Sequence, residues 1–592
     1  MSKINKYSQK IEALRALMLK KKIDSYLVSH EDEHLLENSS ENFQRLKWLT
    51  GFTGSAGYLI VTLNNLYLFV DSRYSIQSKI ETKGLKIKIF NVAKLDYEKF
   101  IKLNKLKTAN IALDCKTISY KLFLSYENAA QHSKLKIISL KNNLVDFIWN
   151  RSMKTQNTNK IFMLEQKYCG LSFEEKLKKL LMFLKNKNAD TIFIQNSESV
   201  SWLFNIRGAD LLYTPITFAY SLISKKYIYI FLENSKLSKK IVNFFSKKIK
   251  ILRFSEIEET LKKINNKEDK ILIDTKTTSK YYHDIIKKSY KEIIYDNDPI
   301  LTFKAIKNNI EIKNIVKAHI FDGVALTKFI YWLKNFNSVL TELDIVNKID
   351  ALRSQNKNFL CKSFPTIAGS GKNGAIVHYI PNKITNRKLN KNDILLLDSG
   401  GQYKLGTTDV TRTLSIGKPE ENHTVSYTQV LKSHIKLSNA IFPEGISGAY
   451  LDYLARSKLW EIGKDYAHGT GHGVGYCLNV HEGPFSISKN SNIALKEGMV
   501  FSNEPGYYIE NKFGIRIENL VTIKKKILNK KDFFKIETLT LAPYDIDLIK
   551  KNLLTKSELL WVKNYHKRVF KEISPYLTKN ENDWLIKEIK KL

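Results

Sequence analysis

The first half of the chain carries one hydrophobic pattern twice. Residues 10–29 place apolar side chains at helical spacing and then run into a short apolar stretch, and residues 176–195 do the same. In each copy a pair of β-rich segments follows, at residues 58–71 and at residues 218–233. The repeat predicts two domains of similar α/β build.

A different pattern begins near residue 300. Apolar positions recur at helical spacing over residues 306–337, after a Pro-containing segment that is typical of a junction. The length of the chain also requires several domains. We therefore expect α/β domains at residues 1–155 and 156–303, and a third domain at residues 304–592.

Two strand patterns of the third domain bring carboxylates together. The apolar residues 394–397 end abruptly in Asp398, which predicts a buried strand with a carboxylate at its tip. A second, alternating strand has Asp409 near its start, so two antiparallel neighbours can place both carboxylates in one pocket. A lone Asp would be explained by a solvated turn. Two neighbouring carboxylates raise each other's pKa, and a cation between them reverses that penalty.

Further residues of the metal-ligand type follow in glycine-rich or strand-end settings. The segment HGTGHGVG holds His468 and His472, and the segment VHEGP adds His481. Glu504 follows an apolar approach and precedes a Pro-Gly turn. A loop histidine or a strand-end glutamate is usually structural when it stands alone. The accumulation of such residues in one domain favours a site.

Glu518 completes the candidate ligand set in an alternating strand, with Arg516 on the same face two positions earlier. Four carboxylates and one imidazole without a thiolate favour Mn²⁺, Fe²⁺ or Co²⁺ over a structural zinc site. Because four carboxylates balance two divalent cations, we expect two metal ions. Two ions ~3.5–4 Å apart can share a bridging water, deprotonate it near neutral pH and stabilise a tetrahedral intermediate.

The glycine-rich segment does not fit a nucleotide-binding motif. It lacks the Lys-Ser/Thr pair of a P-loop, and its spacing differs from GxGxxG. The glycine-rich segment and the VHEGP segment also lack the HExxH pattern of a zincin helix. The sequence therefore favours a carboxylate-rich metal centre.

The charge balance raises the question of an anionic partner. Ninety-six Lys and Arg against 59 Asp and Glu give a formal net charge of +37. The lysines are spread through every segment in company with Asn and Ile, and no arginine cluster or base-stacking motif accompanies them. We interpret the charge as compositional drift and expect neither a nucleic-acid partner nor a membrane partner.

The expected compartment is the cytoplasm. Four scattered cysteines indicate reduced thiols rather than a disulfide framework. The N-terminal segment has no apolar core of a signal peptide. The sequence also has no run of the ~18–20 apolar residues that a spanning helix needs.

These motifs, in this order, resemble the pita-bread metallopeptidase family, and within it the long, three-domain cytosolic aminopeptidase P type. WLTGFTGSAG and DSRY resemble its first domain, and SWLFNIRGADLLYTP resembles its second. The catalytic core is matched by LLLDSGGQY, GTTDVTRT, HGTGHGVG, NVHEGP, NEPG and GIRIEN. The resemblance implies an α/β (α+β) fold: two creatinase-like N-terminal domains, then a pita-bread domain with a curved antiparallel sheet and a C-terminal extension at about 540–592.

The resemblance also implies how two metal ions are held. One ion would be bound by Asp398, Asp409 and Glu518. The other would be bound by Asp409, His472, Glu504 and Glu518, so that Asp409 and Glu518 bridge the pair. Mn²⁺ is the expected metal, with Co²⁺ or Zn²⁺ as alternatives.

Five other residues are assigned to the site, four of them by matching family positions near the substrate. His378 would line the proline side of the site, and His468 and His481 would stabilise the substrate carbonyl and the intermediate. Arg516 is expected to support the ligands through hydrogen bonds. Arg73 matches an arginine of the first domain that reaches the catalytic site across a homodimer.

The implied reaction is hydrolysis of the N-terminal Xaa-Pro bond of peptides by a metal-bridging hydroxide, with Glu504 as proton shuttle. Within the same fold, the alternative is a prolidase, which cuts Xaa-Pro dipeptides. The two additional domains and the C-terminal tail favour the aminopeptidase. A second alternative is a non-enzymatic relative that binds histones or nucleic acid, and the complete ligand set argues against it.

Overall fold

The computed structural model describes residues 3–103, 106, 108–151, 161–233, 237–245, 248–263 and 269–592. The predicted boundary between residues 155 and 156 lies outside these described residues. The chain divides into two compact units, with the border after Ile300. Two short segments, Glu165–Gly170 and Tyr213–Pro215, belong to the second unit.

The first unit begins with an α/β half whose sheet is mixed. Its strands follow the order β4-β3-β2-β1-β5-β6, with β1–β2 and β2–β3 antiparallel and the remaining pairs parallel. The elements are α1 (Lys3–Lys20), β1 (Ser25–Ser29), α2 (Arg45–Thr50), β2 (Tyr58–Thr62), β3 (Leu66–Val70), α3 (Ser75–Glu81), β4 (Ile87–Asn91), α4 (Tyr97–Lys102), β5 (Asn110–Asp114), α5 (Tyr120–His132), β6 (Lys136–Leu140) and α6 (Leu144–Ile148).

The next segment repeats this topology. Its main sheet has the order β12-β11-β10-β8-β13-β14, with the same sequence of antiparallel and parallel pairs. The elements are β7 (Phe162–Met163), α7 (Gln166–Cys169), α8 (Phe173–Asn186), β8 (Thr191–Ile194), α9 (Ser197–Leu203), β9 (Ile206–Arg207), β10 (Tyr220–Ser224), β11 (Ile228–Phe231), α10 (Lys239–Phe245), β12 (Lys250–Leu252), α11 (Ile257–Lys263), β13 (Lys270–Ile273), α12 (Lys280–Ser289) and β14 (Glu292–Tyr295). The predicted internal repeat is therefore confirmed.

Helix packing explains why the strands of the first sheet are apolar on both faces. Along β2, Leu59 and Val61 join one buried cluster, and Ile60 between them joins a cluster on the opposite face. Alternation of side chains in a strand sends successive residues to opposite faces. Strands that are covered on both faces read as continuous apolar runs, as β2 does.

The second unit combines long helices with antiparallel strands. Each strand pair that is described in it is antiparallel, and the strands form a curled sheet. The helices are α13 (Pro299–Ala305), α14 (Asn309–Lys334), α15 (Glu342–Ser354), α16 (Glu421–Ser438), α17 (Gly448–Trp460), α18 (Lys556–Ile573) and α19 (Lys579–Lys590). The predicted fold class is confirmed.

The strands of this unit fall into short ladders, of which β16-β17-β20 and β21-β28-β27-β24 contribute most to the site. They are β15 (Phe359–Lys362), β16 (Ile367–Ser370), β17 (Ile394–Ser399), β18 (Gly401–Tyr403), β19 (Gly406–Thr407), β20 (Val410–Ser415), β21 (Ile441–Pro443), β22 (Gly471–His472), β23 (Ser486–Ile487), β24 (Val500–Asn503), β25 (Gly506–Ile509), β26 (Phe513–Arg516), β27 (Asn519–Leu528) and β28 (Lys531–Thr538).

Capping residues fix where the helices of the second unit begin. Asn308 and Glu311 form a capping box at the start of α14, and Thr341 and Asp344 form another at α15. Both satisfy backbone N–H groups that the first helical turn leaves unpaired. Of the described helices, none is both long and apolar enough to cross a membrane.

Two fully buried histidines in the second unit are held in their neutral form. His566 Nδ1 donates to the Val562 carbonyl at 2.9 Å, and its Nε2 accepts from the Tyr544 N–H at 3.2 Å. Burial lowers the pKa of His566 to about 4 and that of His434 to about 3. To become charged, His566 and His434 would each have to bind a proton at Nε2, where the ring now accepts a hydrogen bond.

We predict that His566 makes the protein less stable in mild acid. Below its usual pKa near 6.5 the unfolded chain binds a proton that native His566 does not, so stability falls as pH drops toward about 4. The slope reaches about 1.4 kcal/mol per pH unit for one histidine. Urea unfolding of the wild type and of His566→Gln at pH 7 and pH 5 measures the difference. An equal loss of unfolding free energy between pH 7 and pH 5 in the two proteins would contradict the prediction.

Candidate metal centre

The β17–β20 pair positions the two aspartates. Asp398 lies opposite Thr411 in this antiparallel register, and Asp409 immediately precedes β20. Leu395 and Leu397 pack into the core beneath α14 and α15, so alternation directs Asp398 to the other face of the strand. The predicted placement of one carboxylate at the tip of a buried strand is confirmed, and both aspartates are buried.

Glu504 and His472 are brought together by β24 and the glycine-rich segment. Glu504 directly follows β24, and its N–H donates to the Thr470 carbonyl at 2.8 Å. The N–H of His472 donates to Ser502 Oγ at 3.0 Å. A Cβ on Gly471 would lie 1.8 Å from the Ser502 carbonyl oxygen. Only glycine therefore lets this segment lie against β24.

The alternating pattern predicts that Glu518 lies within a continuous strand. The structure instead places Glu518 between two strands. The strand β26 ends at Arg516, and β27 begins at Asn519. The break turns the chain so that the N–H of Glu518 donates to the Thr411 carbonyl at 3.1 Å. Thr411 Oγ1 in turn donates to Glu518 Oε2 at 2.7 Å. The backbone and the carboxylate of Glu518 are thus both fixed to β20.

The candidate ligands converge on one point. Ligand atoms of Asp409, His472 and Glu518 all lie within 4.8 Å of one another. His472 Nε2 lies 3.5 Å from Asp409 Oδ2 and 3.4 Å from Glu504 Oε1. Asp398 interacts electrostatically with Asp409 and Glu504. The five residues therefore form one cluster, which we call the carboxylate cluster: Asp398, Asp409, His472, Glu504 and Glu518.

Burial and crowding raise the pKa values of carboxylates in this cluster. Burial and the charges of Asp409 and Glu504 raise the pKa of Asp398 to about 7, against the lowering effect of Arg516. Burial and the charges of Asp409, Glu504 and Asp398 raise the pKa of Glu518 well above its usual range. Burial would lower the pKa of His472, but Asp409 and Glu504 outweigh it and raise that pKa to about 9.

Arg516 is a buried cation that faces the carboxylate cluster. Its Nη2 donates to Asp398 Oδ2 at 2.6 Å, and its Nε donates to Thr411 Oγ1 at 3.2 Å. Thr411 is also the donor to Glu518. Arg516 is 1% exposed. It therefore orients one ligand directly and a second through the threonine hydroxyl.

Tyr508 is a residue of the site that sequence reasoning missed. Its hydroxyl accepts from Arg516 Nη1 at 2.7 Å and lies 2.9 Å from His468 Nε2. His468 Nδ1 lies 2.7 Å from the Gly469 carbonyl and must donate there, so Nε2 accepts the tyrosine proton. Tyr508 lies in the β25–β26 hairpin that ends in Arg516. In the sequence, two alternating segments joined by a short turn end at Arg516. This hairpin pattern could have indicated that Tyr508 lies near Arg516.

The other predicted histidines lie on loops next to the cluster residues. The ring of His481 packs edge-on against that of His472, with centroids 4.2 Å apart. His378 follows Val377, whose carbonyl accepts from Arg516 Nη1 at 3.2 Å. Both histidines are half-buried.

Arg73 belongs to the first unit. It follows β3 and forms an ion pair with Asp71, with Nη2 and Oδ2 2.6 Å apart. A longer contact of 3.9 Å joins it to Glu37. The predicted role of Arg73 across a homodimer stays a prediction.

The carboxylate cluster fits a pair of divalent cations. Asp398 Oδ1 is buried, and the described residues offer it no hydrogen-bond partner. A buried carboxylate oxygen without a donor is costly, and a cation would satisfy it. Carboxylates with one imidazole are the donors that Mn²⁺ and similar hard ions take. Cations would also offset the mutual repulsion that raises the pKa values of these carboxylates.

Comparison with known families matches four segments that together cover most of the chain. Residues 313–525 match metallopeptidase family M24, and residues 532–592 match the C-terminal region of that peptidase. Residues 10–146 and 152–311 each match a creatinase/prolidase N-terminal domain. The repeated α/β halves of the first unit are thus two copies of one domain type.

Individual relatives match over almost the full length. A probable Xaa-Pro aminopeptidase P from Coprinopsis cinerea is 34% identical, with 98% of each chain covered. Xaa-Pro aminopeptidase 1 from Dictyostelium discoideum is 35% identical, with 99% of this chain and 96% of that protein covered. The chain belongs to metallopeptidase family M24.

Solved structures give the same relationship. A Caenorhabditis elegans X-prolyl aminopeptidase, described as a cytosolic enzyme with a dinuclear active site, has a TM-score of 0.93 and 31% identity. It covers 98% of this chain, and 99% of that chain is matched. The prolidase from Pyrococcus horikoshii has a TM-score of 0.50 and 25% identity and covers 63% of this chain.

We predict that Mn²⁺ stabilises metal-free protein. Cation binding to the native cluster alone contributes about 2.7 kcal/mol at a free metal concentration 100 times the Kd. Differential scanning fluorimetry after EDTA treatment, with and without Mn²⁺, should show a higher Tm with the metal. Glu518→Gln should lose the increase, and the exposed control Glu510→Gln should keep it. An increase of equal size in Glu518→Gln would contradict the assignment of this cluster.

Proposed function

We propose that this chain is a dinuclear-metal aminopeptidase that removes the N-terminal residue from peptides with proline at the second position. The observation that carries the proposal is the carboxylate cluster, in which Asp409, His472 and Glu518 converge within 4.8 Å. It occurs in a chain that matches X-prolyl aminopeptidases along its whole length. The family supplies the metallopeptidase class, and these relatives supply the substrate.

The proposed ligand assignment is the one that the family resemblance implies. Asp398, Asp409 and Glu518 would hold one cation, and Asp409, His472, Glu504 and Glu518 the other. When bound, the two cations supply Lewis acidity toward the scissile carbonyl and acidify a water molecule. The carboxylates of the cluster must lose their protons before cations bind, so binding releases protons.

Glu504 is the proton carrier in this proposal. In this proposal its carboxylate accepts the proton of the attacking water and passes it to the proline nitrogen as the peptide bond breaks. Ser502 Oγ donates to Glu504 Oε1 at 2.9 Å, and the Glu504 N–H is fixed on Thr470. These bonds hold the carboxylate in one orientation. The leaving nitrogen needs this proton because an amide anion is a poor leaving group.

The histidines around the cluster are suited to the substrate carbonyl. His468 is held by Gly469 and by the hydroxyl of Tyr508, and His481 packs against His472. We assign His468 and His481 to the carbonyl and to the intermediate. His481 would act as a positioned donor that stabilises developing negative charge. His468 would have to exchange its bond with Tyr508 for the substrate and gain a proton at Nε2 before it donates there. His378, next to the segment bonded to Arg516, is assigned to the proline side.

The ability to cleave a bond before proline has a physical reason. The bond before proline is a tertiary amide without an N–H group, so it cannot donate to a peptidase that docks its substrate as an added strand. A metal site that polarises the carbonyl and delivers a proton to the leaving nitrogen needs no N–H group on the scissile bond. A carboxylate such as Asp398 beside the cations can also accept the free amino group, which restricts cleavage to N-termini.

Prolidase activity is the second candidate within the fold. The prolidase from P. horikoshii covers 63% of this chain, whereas the C. elegans X-prolyl aminopeptidase covers 98%. The additional length favours the aminopeptidase. A non-enzymatic binding function is disfavoured by the complete carboxylate cluster.

Three finer features belong to the same proposal. We take Mn²⁺ as the resident metal, with Co²⁺ and Zn²⁺ as alternatives, because the donors are mostly carboxylates. A cytosolic location is proposed from the description of the C. elegans enzyme. A homodimer, in which Arg73 serves the partner's site, is proposed from the family resemblance.

We predict hydrolysis of Xaa-Pro-Yaa tripeptides by the Mn²⁺-loaded protein, with little turnover of Xaa-Pro dipeptides or Xaa-Ala-Yaa tripeptides. Measured rates of amino acid release compare the three substrates. A preference for the dipeptide would instead identify a prolidase. No hydrolysis of any of them, together with salt-sensitive retention on DNA, would favour the binding protein.

We predict that Glu504→Gln lowers kcat for Xaa-Pro-Yaa by about 10²–10⁴-fold, the usual contribution of a general acid–base group. The exposed variant Glu510→Gln serves as the matched control and should keep wild-type kcat. Metal analysis of Glu504→Gln separates loss of the proton carrier from loss of a cation. Turnover near the wild-type rate would contradict the shuttle role.

A further inference from the structure

A buried cluster of charges lies directly beside His481 and is not part of the carboxylate cluster. Glu482 Oε2 lies 2.7 Å from Lys304 Nζ, and Glu482 Oε1 lies 2.6 Å from Lys307 Nζ. Each of the three side chains is at most 1% exposed. We call this group the lysine clamp: Lys304, Glu482 and Lys307.

The lysine clamp is expensive to bury. Desolvation of charged groups costs several kcal/mol for each ion, and buried ion pairs often stabilise a fold no better than apolar residues of similar size. Here two ammonium groups share one carboxylate. Burial lowers the pKa of Lys307, and the neighbouring charge of Lys304 adds to this effect. An arrangement of this kind is better explained by a need for orientation than by stability.

The clamp fixes the loop that carries His481 on the C-terminal side of that residue. The N–H of Glu482 donates to the Gly473 carbonyl at 2.7 Å, which ties His481 to the segment of His472. A Cβ on Gly473 would lie 2.2 Å from the Glu482 carbonyl oxygen, so the two segments are in close contact. Both oxygens of the Glu482 carboxylate are held by lysines. The residue after His481 therefore has little freedom to rotate.

The lysines are themselves anchored to the strand that leads to Glu504. Lys304 lies on α13, and Lys307 lies just before α14. The N–H of Lys307 donates to the Gly498 carbonyl at 3.0 Å, and Ile306 pairs with Met499 immediately before β24. The clamp thus joins the His481 loop to the same strand that positions Glu504.

We propose that Lys304, Glu482 and Lys307 are positioning residues that hold the His481 ring against His472 in the orientation needed for turnover. This inference rests on the proposed peptidase function, in which His481 contacts the substrate. The three residues contact neither substrate nor the reacting atoms. They act through His481, because the clamp fixes the backbone on its C-terminal side.

A double-mutant cycle tests the proposal. Glu482→Gln should lower kcat for an Xaa-Pro-Yaa peptide by about 10- to 100-fold, since small misplacements in an active site have effects of this size. In a His481→Ala background the same substitution should lower kcat less than about twofold, because the positioned ring is gone. An equal loss in both backgrounds would show a general structural role and overturn the proposal.

Two further variants guard against a folding defect. Lys304→Met leaves Lys307 and Glu482 as a one-to-one pair, so it should lower kcat less than Glu482→Gln does. This loss should also disappear in the His481→Ala background. Lys334→Met is the matched control, because Lys334 Nζ pairs with buried Asp545 at 2.7 Å elsewhere in the unit. It should lower Tm and keep kcat. A loss of bound metal in Glu482→Gln would place the effect on His472 and overturn the assignment to His481.

A crystal structure of Glu482→Gln tests the clamp without any activity. The separation of the His472 and His481 ring centroids, 4.2 Å in the wild type, should increase or the His481 ring should become disordered. An unchanged ring would overturn the proposal even if the wild type cleaves Xaa-Pro peptides. If the wild type cleaves none of them while the ring moves, the clamp stands and the proposed function fails.

Discussion

The mutual repulsion of buried carboxylates is the constraint on which the second unit depends. Asp398, Asp409 and Glu518 are buried, Glu504 is 17% exposed, and the four carboxylates face one another. Like charges so close together cannot all ionise without a compensating cation. One arginine, Arg516, supplies part of that compensation. The remainder requires bound protons or metal ions. Without a cation, the arrangement stores unfavourable energy that a fold selected for stability alone would not keep.

Backbone hydrogen bonds are what force the carboxylates together. The β17–β20 register sets Asp398 opposite Thr411, and the break after β26 lets Glu518 bond to the same threonine. Close packing of Gly471 on β24 brings His472 beside Glu504. The ligands come from distant parts of the sequence, but each is held within one or two residues of a strand. A rigid frame of this kind can maintain charges that would otherwise separate.

Local patterns in the sequence were enough to predict the strand that ends near Asp398, the repeated α/β domain and the five residues of the carboxylate cluster. The apolar run of residues 394–397, which stops at Asp398, is visible in a short window of the sequence around it. The interruption between Arg516 and Glu518 was not visible, because alternation continues through it and only contacts with Thr411 turn the chain. Tyr508 and Glu482 were missed for a similar reason: their roles come from partners on other elements, Arg516 and His468 in one case and two lysines in the other.

Anomalous diffraction tests the central claim, a pair of cations within the carboxylate cluster, most directly. Crystals grown with Mn²⁺ and measured at the manganese absorption edge should show two neighbouring peaks surrounded by Asp398, Asp409, His472, Glu504 and Glu518. Absence of both peaks at saturating metal, with the acidic side chains turned away from one another, would contradict the account and remove the basis for the proposed peptidase.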